Sequence, residues 1–205
     1  AQKLSALTGK EMILPMNTGA EAVETAIKTM RKWGYMVKGV EKDKAEIIVF
    51  ADNFHGRTVT IISFSVDPDA KENYGPFTPG FVVVPYDNLE AVEKAVNKNT
   101  VGILVEPIQG EAGVVVPSEG FLKGLESIAR KNNLLLAVDE IQTGFCRTGK
   151  TFAFQHEGIT PDIIIMGKAL GGGVMPVSAI AADKNVLEVF LPGTHASTFG
   201  GNPLA

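Results

Sequence analysis

The stretch Leu134–Gly173, LLLAVDEIQTGFCRTGKTFAFQHEGITPDIIIMGKALGGG, decides how the rest of the chain is read. It holds two short apolar runs, LLLAV at 134–138 and IIIM at 163–166, each bounded by polar, Gly or Pro residues. Runs of four or five such residues read as strands buried on both faces, which is the habit of a parallel sheet covered by helices. A charged side chain follows each run, Asp139 directly and Lys168 after one glycine. In an open α/β sheet the ligand crevice lies outside the carboxyl ends of the strands. An acid and an amine delivered there face one small molecule from two sides.

The same stretch carries a competing signal. Gly144–Thr151, GFCRTGKT, fits the phosphate-loop pattern G-x-x-x-x-G-K-[ST] at every letter. Its context does not fit. A phosphate loop follows its strand directly and opens a helix, whereas Glu140–Thr143 intervene here and Gly158 and Pro161 follow soon after. Phe145 and Arg147 are bulky for backbone that must wrap phosphates. The acidic strand also runs almost straight into the loop, and adjacent parallel strands need a crossover of about a dozen residues. A nucleotide hydrolase is therefore the remote alternative.

Composition narrows the classes further. A chain of 205 residues, 45% of them hydrophobic, can bury the core of one large domain. A net charge of −4 without any basic cluster argues against a nucleic-acid partner. The single cysteine, Cys146, excludes an intrachain disulfide framework and fits a reducing compartment: the cytoplasm, or the mitochondrial matrix in a eukaryote. No apolar run approaches the ~18 residues of a membrane span, and the N-terminus lacks the layout of a signal peptide. Three histidines without Cys/His spacing make no metal site. The chain opens on Ala1 and stops at NPLA without a helix stop signal, so it is expected to be an internal piece of a longer protein, folding as one domain over 1–205.

The remaining segments alternate strand and helix patterns, which predicts an α/β fold with a mostly parallel sheet. A short polar helix candidate precedes the apolar MILPM at 12–16. Thr18 and Glu21 have capping-box spacing, Val23, Ala26, Ile27 and Met30 share one helical face, and Gly34 supplies a stop. The small residues Gly19 and Ala20 leave the backbone N–H groups of the first turn open to an anion, although Thr18 as a plain core-helix cap is the more ordinary reading. A strand expected over Ala45–Ala51 empties into DNFHGRT, where Phe54 can stack on a planar ligand, His55 invites acid–base work and Arg57 can hold a carboxylate. Residues 67–80 read as a surface loop. Strands follow at FVVVPY and VGILVEP, the second ending on Glu106, with a short amphipathic helix over 89–96 between them. Ser118 is positioned to cap a helix reaching Lys131, VSAIAA is a last strand, and 183–190 is helical. The closing HASTFGGNP offers Ser197 and Thr198 hydroxyls to a phosphate.

A lysine in a Gly-lined strand-end pocket, with an acid across the ligand, suits a cofactor held as a Schiff base. MNTGAEAVETAIK, NFHGRT, EPIQGEAGV, VDEIQTG-x-x-RTGK, GKALGGG and STFGGNP occur here in the order they take in class III pyridoxal-phosphate aminotransferases, and over nearly the whole chain the sequence resembles that family. RKWGY and GPF-x-PG resemble its ornithine-using branch; acetylornithine, 4-aminobutyrate and other ω-amine donors are the alternatives. The resemblance implies the large cofactor-binding domain of the fold-type I transferases, with helices flanking a mostly parallel sheet and with an N-terminal segment and a small C-terminal domain lying outside this chain.

The resemblance also implies roles. Lys168 matches the lysine that forms the internal Schiff base with pyridoxal 5'-phosphate, and Asp139 the acid beside the pyridine nitrogen. Gln142 matches the amide near the phenolic oxygen, Phe54 the aromatic stacked on the ring, and Gly19 and Ala20 the backbone donors to the phosphate. Thr198 matches a threonine that reaches the phosphate of the neighbouring subunit, which implies a homodimer with shared sites. Arg57 matches a ligand of the substrate carboxylate, and Glu111 a glutamate that masks an arginine of the small domain. The partners implied are an amino acid and a 2-oxo acid, with no nucleic acid and no membrane. RTGK becomes a structural turn, and the lysine is expected in a hydrophobic pocket that desolvates its amine.

Overall fold

The computed structural model describes residues 1–205. Helix α1 (Gln2–Thr8) leads into β1 (Met12–Met16) and α2 (Gly19–Trp33). Then come β2 (Glu46–Phe50), the one-turn helices α3 (Val59–Ile62) and α4 (Pro68–Lys71), β3 (Phe81–Val84), α5 (Leu89–Ala95) and β4 (Thr100–Val105). The chain continues through α6 (Phe121–Lys131), β5 (Leu135–Asp139), β6 (Ile163–Met166), β7 (Ser178–Ala182) and α7 (Lys184–Leu187). No helix is long and apolar enough to cross a membrane.

All seven strands form one sheet in the order β1-β7-β6-β5-β4-β2-β3. Strands β3, β2, β4, β5 and β6 run parallel, while β7 pairs antiparallel with both β6 and β1. The expected mostly parallel α/β sheet is therefore present. The two apolar runs that opened the reading lie side by side at its centre, Ala137 opposite Ile163 and Asp139 opposite Ile165.

Alternation along the strands fills two cores. Ala137, Ile163 and Ile165 pack with Val23, Ala26, Ile27 and Met30 of α2. Val138, Ile164 and Met166 pack on the opposite face with Leu122, Leu125, Ile128 and Ala129 of α6. Both faces are covered, which is why these strands carry unbroken apolar runs rather than alternating ones.

Helix α2 begins as its sequence predicts. The Thr18 hydroxyl accepts from Glu21 N–H at 3.2 Å, and the Glu21 carboxylate accepts from Thr18 N–H at 2.7 Å. Its end differs. Gly34 keeps right-handed helical angles and the chain winds on through Gly34–Lys38 before Gly39, at φ 81°, ends it. Gly34 is instead required by space: a Cβ there would lie 2.2 Å from Cγ1 of Val101 on β4. Two further expectations are corrected. Ser118 caps nothing, because its N–H and hydroxyl both donate to Asp87 at 3.0 and 2.7 Å, and the helix starts three residues later behind Gly120. The final helix is one turn, Lys184–Leu187, rather than the span 183–190.

Val101 is fully buried, so it cannot swing away from an added methyl at Gly34. Gly34→Ala should destabilise the full-length protein by about 1–3 kcal/mol. Val101→Ala in the same chain should recover part of that loss. Urea denaturation of the two single variants and the double variant tests this, and strictly additive losses would mean that the two residues do not collide.

Candidate active site

From β2 the chain passes outward to β3, then returns to the other side of β2 to build β4, β5 and β6. Connections diverge at that point, so a crevice opens between the carboxyl ends of β2 and β4. A cavity of about 220 Å³ lies there, and its wall includes Gly19, Ala20, Phe54, Asp139, Gln142 and Lys168. A larger one of about 630 Å³ shares Phe54, His55 and Gly56 with it and takes in Arg57 and Glu111. The expected residues thus gather on two adjoining cavities, except Thr198, which lies on neither and is exposed.

Asp139 ends β5 almost without solvent contact, 5% exposed. One oxygen accepts from Ile141 N–H at 3.0 Å, and the other meets Nδ1 of His55 at 2.6 Å. Burial works to lower the His55 pKa, but the Asp139 hydrogen bond and the charges of Asp139 and Glu106 outweigh it, so the net shift is upward. The protonated imidazole is thereby favoured beside Asp139. Composition had offered His55 as an acid–base group, whereas the geometry makes it the partner of the strand-end acid.

Glu106 follows β4 and is 7% exposed. Its Oε2 accepts the Phe54 N–H at 3.0 Å. Burial, with Asp139 adding and His55 opposing, raises its pKa to about 7. Phe54 itself is 37% exposed, with the Arg57 guanidinium 6.0 Å from its ring centroid.

The first turn of α2 presents Gly19 and Ala20 to the cavity, and the Thr18 hydroxyl is already engaged with Glu21 N–H. The N–H groups of that turn have no intrahelical acceptor and lie at the positive end of a fifteen-residue helix. Glu21 also receives the Ser197 hydroxyl at 2.8 Å, and Asn17 donates to Ser197 at 2.6 Å. The HASTFGGNP loop is thereby pinned over the start of α2, with the exposed Thr198 next to the pinned Ser197.

His195 supplies the other pin. The Thr25 hydroxyl donates to the Glu21 carbonyl, so it must accept from His195 Nε2–H at 2.9 Å. Nδ1 then accepts from Lys28 Nζ at 2.9 Å, and the ring stacks on Phe190. This arrangement needs the neutral ring.

Lys168 follows β6 in left-handed backbone, φ 41°, an angle that residues with a Cβ adopt only under constraint. Its side chain is exposed within this chain, so the expected desolvating pocket is not made by these residues alone. The GFCRTGKT segment is a series of turns with no α-helix opening from it, only a single 3-10 turn at Ala153–His156, and Phe145 and Cys146 both adopt positive φ. Glu140, fully buried, anchors it by accepting the Phe154 N–H at 2.9 Å and the Thr143 hydroxyl.

The family profile described as "Aminotransferase class-III" matches residues 1–205. A protein named ornithine aminotransferase from Brevibacillus brevis is 62% identical over 203 residues, 99% of this chain and 51% of that relative. Its namesake from Bacillus subtilis is 57% identical over 204 residues, 100% of this chain and 51% of the relative. Among solved structures, the ornithine aminotransferase of Toxoplasma gondii superposes with a TM-score of 0.98 at 48% identity, covering 99% of this chain and 48% of its own. An acetylornithine aminotransferase from Elizabethkingia anophelis gives 0.84 at 48% identity, covering 99% and 47%. The chain spans about half the length of the curated relatives it matches.

Burial first, then the Lys28 ammonium, lower the His195 pKa from 6.5. A depressed imidazole pKa means that the docked loop loses stability as the pH falls below 6.5 and is fully held above it. NMR titration of the His195 ring should give a value under 6.5, and Lys28→Met should raise it. A value that ignores Lys28→Met would remove that ammonium from the cause.

Proposed function

We propose, since the chain belongs to the class-III aminotransferases, that the protein it forms part of moves the distal amino group of L-ornithine through pyridoxal 5'-phosphate to a 2-oxo acid. With 2-oxoglutarate as acceptor the products are glutamate semialdehyde and glutamate. The observation that carries the donor is the run of relatives named ornithine aminotransferase, 56–62% identical across 99–100% of this chain. Acetylornithine is the second reading, because a structure with that name reaches 48% identity over the same span.

The cavity residues fit the cofactor. A phosphate group would lie at the α2 N-terminus, where a Cβ on Gly19 would already crowd Ile141 Cδ1 at 3.1 Å. Phe54 would cover one face of a planar ring. Gln142 would donate to a phenolate oxygen, and Asp139 would hold a proton on a ring nitrogen. Lys168 would supply the amine that links to an aldehyde. When bound, pyridoxal phosphate supplies an electron sink for the negative charge left on the substrate carbon. The His55 hydrogen bond holds Asp139 in place, so its side chain would meet the ring nitrogen where that sink needs the proton. Lys168, once displaced, would carry the proton between the two carbons, the work of a positioned general base. Arg57 would take the substrate carboxylate at the rim of the larger cavity, with Glu111 near it.

Thr198 is exposed and lines neither cavity of its own chain. We therefore take it to serve a second copy, in a homodimer whose sites are completed across the interface. This chain would be the cofactor-binding domain of such a protein, and a free, exposed Cys146 fits a cytoplasmic setting.

Borohydride reduction of the full-length protein loaded with pyridoxal phosphate, followed by peptide mapping, should label Lys168. Lys168→Ala should lose the label and slow turnover by on the order of 10³-fold or more. Label on Lys150 instead would contradict the assignment. With 2-oxoglutarate as acceptor, kcat/KM for L-ornithine should exceed that for acetylornithine or 4-aminobutyrate by about tenfold or more. The reverse order would move the protein to a sister activity.

A further inference from the structure

We propose that Glu106 is a positioning residue of this active site: its carboxylate ties the loop after β2 to the end of β4, fixing together the Phe54 wall and the turn against which the Gln142 amide rests. The proposal builds on the cofactor reading above. Glu106 stands at the switch point of the sheet, between the two strand ends whose connections diverge. Its Oε2 takes the Phe54 N–H at 3.0 Å, and the Gly110 amide also favours its ionised form. The Gln109 side chain adds a second tie between the same loops by donating to the Ala51 carbonyl at 2.8 Å. Tyr86 steadies the corner from below, its hydroxyl donating to the Glu106 carbonyl at 2.9 Å.

The turn after Glu106 bears directly on Gln142. A Cβ on Gly110 would fall 2.1 Å from Gln142 Oε1 and 2.6 Å from its Cδ, so the amide lies where only a glycine leaves room. The loop on the other side of the tie carries Phe54, His55 with its bond to Asp139, and Arg57. One carboxylate therefore sets the spacing between the groups that would face the ring, its phenolate and the substrate carboxylate.

Stability alone does not explain Glu106. Its pKa, raised from 4.5 to about 7, means that the fold resists its ionisation. The unfolded chain gives up this proton near 4.5 and the folded chain near 7, so stability falls across that window as the pH rises. At pH 8 the full cost of a buried charge stands. A neutral amide of the same shape would remove that cost while weakening the charge-assisted bond to Phe54. A purely structural carboxylate should not carry such a conflict.

Glu106→Gln in the full-length protein separates the two roles. Freed of cofactor at pH 8, it should melt no lower than wild type. Its Kd for pyridoxal phosphate should rise about tenfold. The KM for the amino donor should rise with it, while kcat at saturation stays within about threefold, the pattern of lost binding rather than lost chemistry. Amide hydrogen exchange of the cofactor-free protein should quicken in 51–57 and 108–112 and stay unchanged in 163–166. Wild-type affinity with unchanged exchange would overturn the proposal, and so would a variant that loses stability and affinity together or fails to fold. Gly110→Ala tests the Gln142 limb: it should shift the absorbance of bound pyridoxal phosphate at an unchanged melting temperature, and a wild-type spectrum would overturn that limb. If wild type itself takes up no pyridoxal phosphate, the functional reading fails, whereas the exchange comparison still decides whether Glu106 ties the loops.

Discussion

The hydrogen bond between His55 and Asp139, 2.6 Å long and nearly closed to water, is the contact on which the rest of the crevice depends. A carboxylate at the end of a central strand is expensive to bury unless a partner and hydrogen bonds compensate it. Here the partner comes from the loop after β2 and the second hydrogen bond from Ile141 N–H. The pair joins residues 84 positions apart, so folding the sheet and assembling the site are one event. It also fixes where Phe54 can be, since that residue precedes the histidine. Glu106 sits beside that pair, and its own burial, opposed by His55 and reinforced by Asp139, is the physical source of its upward shift.

A second constraint governs the other end of the cavity. Glu21 serves four donors at once: the N–H groups of Asn17 and Thr18, the Asn17 amide and the Ser197 hydroxyl. The first three shape the start of α2, and the fourth holds down the loop that carries Thr198. Those hydrogen bonds outweigh the cost of burial and lower the Glu21 pKa, so the knot stays charged across the ordinary working range. The open N–H groups at Gly19 and Ala20 are thus a by-product of a cap in which the side chain satisfies Glu21 rather than the first two donors.

Local signals were legible, while relations between distant residues were not. The apolar runs at 134–138 and 163–166, which fall on β5 and β6, the Thr18–Glu21 box and the buried stripe of α2 rest on interactions within a few residues, and each stands as read. Asp139 and Lys168 could be placed because a strand end is a position as well as a residue. The errors share a cause. Gly34 looked like a stop because glycine frees the backbone, yet Val101, far along the chain, is what demands it. Ser118 had the chemistry of a cap, but Asp87 outcompetes the helix for it. His55 was visible as an imidazole near the crevice; that it belongs to Asp139 depends on two strand ends meeting in space. The antiparallel sense of β7 also lies in the sheet and not in SAIAA.

The GFCRTGKT match shows the same division from the opposite side. Every letter of the phosphate-loop pattern is present, yet the segment has the backbone of a turn, with Phe145 and Cys146 at positive φ and Glu140 drawing its flanks inward. Glycine, threonine and lysine recur there because a tight exposed turn wants small and polar residues, a demand that phosphate loops happen to share. The helix start with unengaged N–H groups lies instead at 19–20, more than a hundred residues earlier, in a sequence with no such signature. Anion recognition by backbone depends on which donors a fold leaves open at a helix end, and that is decided by caps and packing rather than by the letters of a loop.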